Sequence, residues 1–433
     1  MSAPIKRLTL RHVVLGIAAL ILLAAIVLWS ITPPAIARMP GTTLAASPEL
    51  VQRGAYIARA SDCVACHTAV GGKPYAGGLG LDTPFGTIVA SNITPDRETG
   101  IGGWTDAAFT RAMRQGVNTA GHLLYPAMPY NAYTKMSDAD IHALKAYLDT
   151  LPAVHNDTSA NKLPFPFNIR QMMFGWNLLF FKDARFVPDP KQSAAWNRGA
   201  YLVDGPGHCA ACHSAKNLLG GDKTYLQGGV LQGWYAPELS GNNHVGLGGW
   251  SNAEIVAYLQ TGSNPHAVAA GPMAEAVTNS TQFLTAVDLN AIATYLKAQP
   301  GSNHAKPTPL AVDDPSMQAG GQVFAVNCAA CHASAGTGIT GMATTLAGGP
   351  ATQAPQATNL IRTVLLGGEA AATKVNPTAA AMPGFAWKLS DRQIAAVVTY
   401  VRNSWGNAAA PVSDEEVASA RKALKADTRL TLK

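Results

Sequence analysis

The chain carries six cysteines, and all of them lie in three copies of the motif Cys-x-x-Cys-His. Between successive copies the first cysteines are 146 and 119 residues apart. A disulfide framework would not place a histidine after every pair, and a zinc ribbon needs two pairs close enough to share one ion. The pattern is instead typical of covalent attachment of c-type haem. The three motifs are Cys63, Cys66 and His67; Cys209, Cys212 and His213; and Cys328, Cys331 and His332.

The spacing within each motif suits one porphyrin. Two thiols separated by two residues reach the two vinyl groups and form thioethers, and the adjacent histidine becomes the proximal ligand of the iron. We therefore predict three covalently bound haem c groups, each with its iron. Bacteria form such thioethers outside the cytoplasm, so the haem-bearing part of the chain is predicted to be exported.

The composition supports buried cores and argues against nucleic-acid binding. Apolar residues make up 48% of the 433 residues, and charged residues only 13%. The net charge is +6, but Lys6, Arg7 and Arg11 supply three of those charges, which leaves 6 − 3 = +3 for the remainder. A nucleic-acid binder needs a concentrated basic face, so no nucleic-acid partner is expected.

The N-terminal segment is apolar and uncharged over Val13 to Ile31, which is 19 residues. At about 1.5 Å per residue such a helix is roughly 28 Å long, close to the hydrocarbon thickness of a bilayer. The basic residues before it favour a cytoplasmic N-terminus. The alternative is a cleaved signal peptide, because Ala35 and Ala37 form an A-x-A site. Residues 1–37 are thus predicted to be a membrane anchor or signal peptide, and both export the rest.

The sequence repeats itself three times. RGAY at 53–56 and at 198–201 precedes the first and second motifs, and GGQVF at 320–324 precedes the third. Helical patterns begin at Ser137, Thr285 and Ser390, each with Asp or Gln three residues later, and another runs from Ser251 to Gly262. Alternating strand patterns are almost absent. We predict an all-α fold of three tandem class I cytochrome c domains. The predicted boundaries are 45–152, 193–300 and 313–408, with a Phe/Pro-rich connector at 153–192 and a C-terminal tail at 409–433.

Three methionines are candidates for the distal iron ligands. Met128, Met273 and Met382 follow their proximal histidines by 61, 60 and 50 residues, and each has a proline beside it. Proline keeps these segments out of helix, so a stiff loop could hold each thioether toward the iron. Methionine ligation raises the haem potential. Met113 lies inside a helical pattern and is interpreted as core.

Two histidines offer a bis-histidine alternative. His122 and His266 lie shortly before the candidate methionines of the first and second repeats, whereas the third repeat has no histidine after His332. Met342 is a weaker alternative there. Trp104 and Trp250 are interpreted either as donors to haem propionates or as core aromatics.

The connector at 153–192 and the C-terminal tail at 409–433 lie outside the three predicted domains. Six of the eleven phenylalanines lie at 153–192. They either pack between domains or form a docking surface for a partner subunit or the membrane. The tail after Pro411 is predicted to be a solvated amphipathic helix.

Four long segments are more specific than the Cys-x-x-Cys-His motif alone: TPFGTIVASNITPDRETGIGGW (83–104), LYPAMPY (124–130), RGAYLVDGPGHCAACH (198–213) and AMPGFAWKLSD (381–391). Through them the chain resembles the triheme cytochrome c subunits of bacterial membrane-bound dehydrogenases over about residues 53–406. The resemblance implies one haem per motif, with the three methionines at the distal positions. It also implies electron transfer to membrane ubiquinone from a large quinoprotein, flavoprotein or molybdenum dehydrogenase subunit. That subunit would oxidise an alcohol, gluconate or another sugar, or an aldehyde.

The expected role is therefore electron transfer without a catalytic residue, at the periplasmic side of the inner (cytoplasmic) membrane. Two alternatives are a free-standing shuttle to a terminal oxidase and a haem peroxidase with one open iron. The peroxidase is disfavoured because every repeat offers a methionine.

Overall fold

A computed structural model describes residues 10–38 and 46–426 of the chain. The described part is mostly helical, and its long helices recur in the same order around each Cys-x-x-Cys-His motif. The first unit contains α2 (Pro48–Ala60), α3 (Cys63–Cys66), β1 (Gly80–Thr83), β2 (Gly86–Val89), α4 (Asp106–Gln115), α5 (Tyr130–Tyr133) and α6 (Asp138–Leu148), and α1 (Leu10–Ile31) precedes it.

The second and third units follow after the connector helix α7 (Met172–Phe180). The second unit contains α8 (Ala194–Asp204), α9 (Ala210–His213), β3 (Ala215–Lys216), β4 (Asp222–Thr224), β5 (Gly229–Leu231), β6 (Trp234–Ala236), α10 (Asn252–Thr261), α11 (Pro272–Asn279), a 3₁₀ turn (Thr281–Phe283) and α12 (Ala286–Lys297). The third contains α13 (Pro315–Asn327), α14 (Ala329–His332), α15 (Pro350–Gln353), α16 (Thr358–Leu366), β7 (Gly367–Glu369), β8 (Ala381–Pro383) and α17 (Asp391–Asn403), and α18 (Asp414–Ala426) follows.

The first and last long helices of each unit cross in direct contact: α2 with α6, α8 with α12, and α13 with α17. A glycine lies at every crossing, where the partner backbone is so close that no side chain fits. These are the glycines of the repeated RGAY and GGQVF strings. A Cβ atom would lie 1.9 Å from the Ala143 carbonyl oxygen at Gly54, 2.0 Å from that of Ala291 at Gly199, and 2.1 Å from that of Ala396 at Gly320.

The predicted helix starts are confirmed. Ser137, Thr285, Ser390 and Ser251 are all N-caps whose side chains accept a hydrogen bond from the backbone N–H three residues later. Only Ser251 and Ser390 form the full reciprocal capping box. α10 ends at Gly262, which has the left-handed φ of 76° that a glycine cap adopts.

Four small antiparallel sheets, each of two strands, accompany the helices in the described residues. They pair β1 with β2, β3 with β4, β5 with β6, and β7 with β8. Each strand has only two to four residues. Such short strands are too brief to show an alternating pattern, which is why the sequence did not predict them.

The N-terminal helix α1 covers the segment predicted to be an anchor or signal peptide. Some of its side chains, at positions 10, 13 and 24–31, lie outside the described residues. Among the residues that are described, no helix meets the length and hydropathy needed to cross a membrane.

The tail helix was predicted correctly, but its solvation was not. α18 packs on α16 and α17, and it buries Val417 and Leu424 in the hydrophobic core of the third unit. The Arg421 guanidinium donates to Asp391 at 2.7 Å and to the Leu389 carbonyl at 2.9 Å. The apolar face of this helix is therefore a part of the third core.

The connector combines packed and exposed aromatic residues. Phe167 packs edge-on against Phe85 with ring centroids 5.0 Å apart, and Phe186 packs edge-on against Tyr201 at 5.6 Å. Phe165 is exposed, as are Met172, Leu178 and Leu179. The ring contacts agree with the packing interpretation, and docking of the exposed residues stays a prediction.

The crossing glycines lead to a stability prediction. Gly54→Ala forces the α2–α6 contact apart, and we expect it to lower the free energy of unfolding by more than about 3 kcal/mol, since the added methyl meets backbone. Gly175→Ala is the matched control, because a Cβ at Gly175 has nothing within 4 Å. That change should stabilise α7 by up to about 1 kcal/mol. Denaturant unfolding of the haem-loaded chain measures both, and equal effects would contradict the steric explanation.

Candidate haem sites

Each motif histidine makes the same hydrogen bond. The Nδ1 atom lies 2.7 Å from the Ser91 carbonyl oxygen at His67, 2.6 Å from that of Pro237 at His213, and 3.1 Å from that of Thr344 at His332. A carbonyl oxygen can only accept, so Nδ1 carries the proton in all three. The lone pair is then on Nε2, which leaves that atom able to bind iron. A carbonyl partner of this kind fixes the tautomer and ring orientation of a metal-binding histidine.

The chain reverses direction after each histidine, and each reversal includes two residues with positive φ that are two positions apart. The second is always glycine, and its N–H donates to the carbonyl oxygen of the motif histidine. Glycine suits this position because the left-handed region is open to it without strain. The glycines are Gly77 (φ 74°, N–H to O 2.8 Å), Gly228 (87°, 2.9 Å) and Gly338 (68°, 3.0 Å), and the earlier residues are Tyr75 (63°), Leu226 (55°) and Gly336 (66°).

A second backbone hydrogen bond closes this loop in all units. Its donor lies two residues after the backbone carbonyl that binds the histidine Nδ1. Its acceptor is the carbonyl of the first of the two positive-φ residues. The donors are Ile93 to Tyr75 at 2.9 Å, Leu239 to Leu226 at 2.8 Å, and Leu346 to Gly336 at 2.7 Å. One attachment loop is therefore built three times, although most of its residue types differ.

The first cysteines of the first two motifs do not have the environment of redox or zinc-binding thiols. All six cysteines lie within the described residues, and none is paired with another cysteine there. Burial raises the pKa of Cys63 and of Cys209 to about 12. A redox thiol or a zinc thiolate needs a lowered pKa instead. Burial also lowers the pKa of His67 and of His213, which keeps these imidazoles neutral, as an iron ligand must be.

The three candidate distal methionines lie on different kinds of local structure, and all are partly buried. Met128 follows Pro126 and packs on the first hydrophobic core. Met273 is the second residue of α11 and packs in a small cluster with Ala269, Val277 and Ala371. Met382 lies in β8, where it pairs with Gly368 of β7. Met113 is buried in the first core, as predicted.

The alternative ligands have other environments. His266 Nε2 is 3.0 Å from the Glu254 carboxylate, and its ring stacks on Trp250 with centroids 5.1 Å apart and an interplanar angle of 19°. His122 is exposed. The Met342 side chain is 52% exposed. The assignment of Met128, Met273 and Met382 as distal ligands stays a prediction.

Trp104 has a free donor. Its indole Nε1 is buried and has no hydrogen-bond partner among the described residues. A buried polar group without a partner is unfavourable, so this N–H is suited to an acceptor supplied by a bound group. A haem propionate fits this need, which favours the first interpretation of Trp104. Trp250 differs, because its ring is buried against His266.

Comparison with known proteins agrees with this geometry. The cytochrome c family matches residues 51–152 and 317–405. The chain is 41% identical to the gluconate 2-dehydrogenase cytochrome c subunit of Pantoea cypripedii, over 87% of this chain and 90% of that protein. It is 39% identical to the cytochrome c subunit of the quinone-dependent alcohol dehydrogenase of Gluconobacter oxydans, over 84% and 80% respectively.

The chain belongs to the family of dehydrogenase cytochrome c subunits.

The relatives differ in length. The chain is 43% identical to one of the nicotinate dehydrogenase subunits of Pseudomonas putida over 89% of its own length, but it spans only 33% of that protein. Cytochrome c domains bind haem c covalently, and the available Nε2 atoms of the three histidines and the unpartnered indole N–H described above fit that group.

Sequence reasoning missed the attachment loop itself. The motif residues and the methionines could be read directly, but the carbonyls at Ser91, Pro237 and Thr344 could not. They follow their histidines by 24, 24 and 12 residues. A backbone acceptor has no residue-type signal. The pair of positive-φ residues contains one glycine in the first two units and two in the third, and these glycines were the one available signal.

The methionine assignment predicts a spectroscopic result. Met128→Ala, Met273→Ala and Met382→Ala should each convert one haem from low to high spin, and that haem should then bind cyanide rapidly and show a lower potential. Met113→Leu is the control, since this methionine lies in the core. Optical titration of the purified protein measures all four variants. A methionine variant with an unchanged spectrum would assign its iron to another ligand.

Proposed function

We propose that the chain binds three haem c groups and carries electrons from a catalytic dehydrogenase subunit to ubiquinone in the inner membrane. The observation that carries the proposal is the threefold recurrence of the attachment loop, with each histidine held by the same Nδ1–carbonyl bond. Bound haem supplies one-electron chemistry, and His/Met ligation raises its potential. The residues of the chain hold the group, fix the ligand tautomer and exclude water.

The first and second attachment segments are neighbours in space. His208, which precedes Cys209, lies with Nε2 3.3 Å from the Ser61 carbonyl oxygen, just before Cys63. Its ring also packs edge-on against Tyr133, with centroids 5.6 Å apart. The helix α11, which carries Met273, packs on α3 of the first motif. These contacts support direct electron exchange between the first two sites.

The second and third units meet on another side. Asn359 of α16 accepts a hydrogen bond from the Tyr235 N–H at 2.9 Å and donates to the Tyr235 carbonyl at 2.7 Å. Ala270 and Ala370 form an isolated β-bridge, three residues from Met273. The second unit therefore lies between the other two along this path, and we assign its haem the middle position in electron transfer.

Two exposed apolar helices attach to the same loop of the first unit, residues 118–125. The chain after α1 reaches the loop through the Ile36 N–H, which donates to the Thr119 carbonyl at 2.8 Å. The connector reaches it through Arg170, which donates to the Leu123 carbonyl at 2.9 Å. Leu178 and Leu179 of α7 are 86% and 65% exposed, and no charged residue lies between Gln171 and Phe181. If α1 serves as a membrane anchor, the shared attachment loop supports a position of the apolar face of α7 at the lipid surface, and we include that position in the proposal.

The relatives' names indicate which partner to expect. Gluconate 2-dehydrogenase and quinone-dependent alcohol dehydrogenase appear in the names of two relatives, of which the chain covers 90% and 80%. Affinity capture of the tagged chain from gently solubilised native membranes should recover a stoichiometric large subunit. Its cofactor, a quinone, a flavin or molybdenum, then identifies the substrate class. Recovery of the haem protein alone, while other respiratory complexes stay whole, would support the free-standing shuttle.

The proposed position of α7 at the membrane predicts that substitutions on its exposed face affect reduction of ubiquinone but not reduction of a soluble acceptor. Leu178→Glu with Leu179→Glu should lower ubiquinone reduction by the complex in membranes, because charged side chains are unfavourable in lipid and would weaken the contact of α7 with the membrane. Reduction of soluble ferricyanide should not change. Val326→Glu, at an exposed position of α13, is the control. Equal loss with both acceptors would show that α7 serves packing or partner binding instead.

A further inference from the structure

The repeated RGAY string has a second use beyond its crossing glycine. Its arginine binds the aspartate at the third position of the last helix in the same unit. Arg53 Nε donates to Asp140 Oδ1 at 2.7 Å. Arg198 donates to both oxygens of Asp288, at 2.7 and 2.8 Å. These aspartates hold the position where a capping-box acid would sit, but their carboxylates bind arginine instead.

The tyrosine of each RGAY string binds the aspartate of the other unit. Tyr56 of the first unit donates its hydroxyl proton to Asp288 Oδ2 of the second at 2.5 Å. Tyr201 of the second unit donates to Asp140 Oδ2 of the first. The exchange is therefore reciprocal, and it relates the two units by a local pseudo-twofold axis.

Backbone donors complete both halves of this exchange. The Ser137 N–H donates to the Tyr201 hydroxyl at 3.1 Å, and the Thr285 N–H donates to the Tyr56 hydroxyl at 3.2 Å. Each hydroxyl thus donates to the carboxylate and accepts from the helix N-cap of the opposite unit. We call the set of Arg53, Tyr56, Asp140, Arg198, Tyr201 and Asp288 the tyrosine exchange.

Both carboxylates of the tyrosine exchange are buried, so they depend on these hydrogen bonds. Asp140 and Asp288 are only 4% and 6% exposed. Burial raises the pKa of Asp288, but the hydrogen bonds from Arg198 and Tyr56 outweigh it, so the pKa lies below the ordinary value and the group is ionised. A buried carboxylate requires its donors, and charge-assisted hydrogen bonds are about twice as strong as neutral ones.

The third unit lacks every side chain of the exchange. The positions that correspond to the arginine, the tyrosine and the aspartate hold Ala319, Gln322 and Gln393. Gln393 forms a capping box with Ser390 instead. The exchange is therefore specific to the first two units, and the third joins the second through different residues.

We infer that Tyr56 and Tyr201 are positioning residues for electron exchange between the first and second haem sites. Tyr56 lies in α2, which ends one residue before Ser61, and the Ser61 carbonyl faces His208 of the second attachment segment. Locking α2 and α8 to the opposite unit holds the two attachment segments at one separation. The inference rests on the proposed function, in that both sites bind haem.

The test removes only the two exchanged hydroxyls. Tyr56→Phe with Tyr201→Phe keeps both rings and both arginine–aspartate pairs. The double variant should retain its haem content, lose the Soret circular-dichroism coupling of the first two haems, and show slower electron exchange between them after flash reduction. Exchange between the second and third haems should not change. Tyr400→Phe is the control, because this third-unit ring packs on Phe324 and Trp405.

Two further outcomes decide the inference. The single variants should have similar effects, because the exchange is symmetric, and together they should be non-additive, because both bonds close one interface. Unchanged coupling and electron exchange in the double variant would overturn the inference. Haem content is measured separately on the unsubstituted chain, where fewer than three haems would overturn the proposed function instead.

Discussion

Each unit depends on one hydrogen bond, from the Nδ1 of the motif histidine to a backbone carbonyl. That bond decides which ring nitrogen has a lone pair, and so whether the histidine can bind iron. The carbonyl must come from a segment well beyond the motif, so the chain has to turn back after the histidine. The left-handed glycine at 77, 228 or 338 makes this turn possible. The loop therefore follows from the ligand requirement of the metal.

The sequence predicted the elements with side-chain signals and missed those made by backbone. The cysteines, histidines and N-caps have fixed residue types and spacings, and the helix starts at Ser137, Thr285 and Ser390 were confirmed. The short strands and the carbonyl acceptors have no such signal. The tail was placed in solvent because its amphipathic pattern shows an apolar face but not the partner of that face. That partner is the core of the third unit, which encloses Val417.

One repeated string, RGAY, contributes both to the fold of each unit and to the contact between two units. RGAY marks the first two units in the sequence, and its glycine explains only the crossing of two helices within a unit. The arginine and tyrosine are not needed for that crossing, since the third unit crosses its helices at Gly320 without either. They recur because two units face each other, so each copy must present the donor that the other copy accepts.

This division of roles has a consequence for how the three sites work together. The second unit joins the first through the symmetric set of tyrosine–aspartate hydrogen bonds. It joins the third through other contacts, among them the amide pair at Asn359, the β-bridge at Ala370 and the Gln282 side chain, which bonds the backbone at Ala372 and Lys374. Loss of a tyrosine hydroxyl at the first junction therefore leaves a buried carboxylate with fewer donors, which is unfavourable, whereas loss of the Asn359 or Gln282 amide removes only neutral hydrogen bonds.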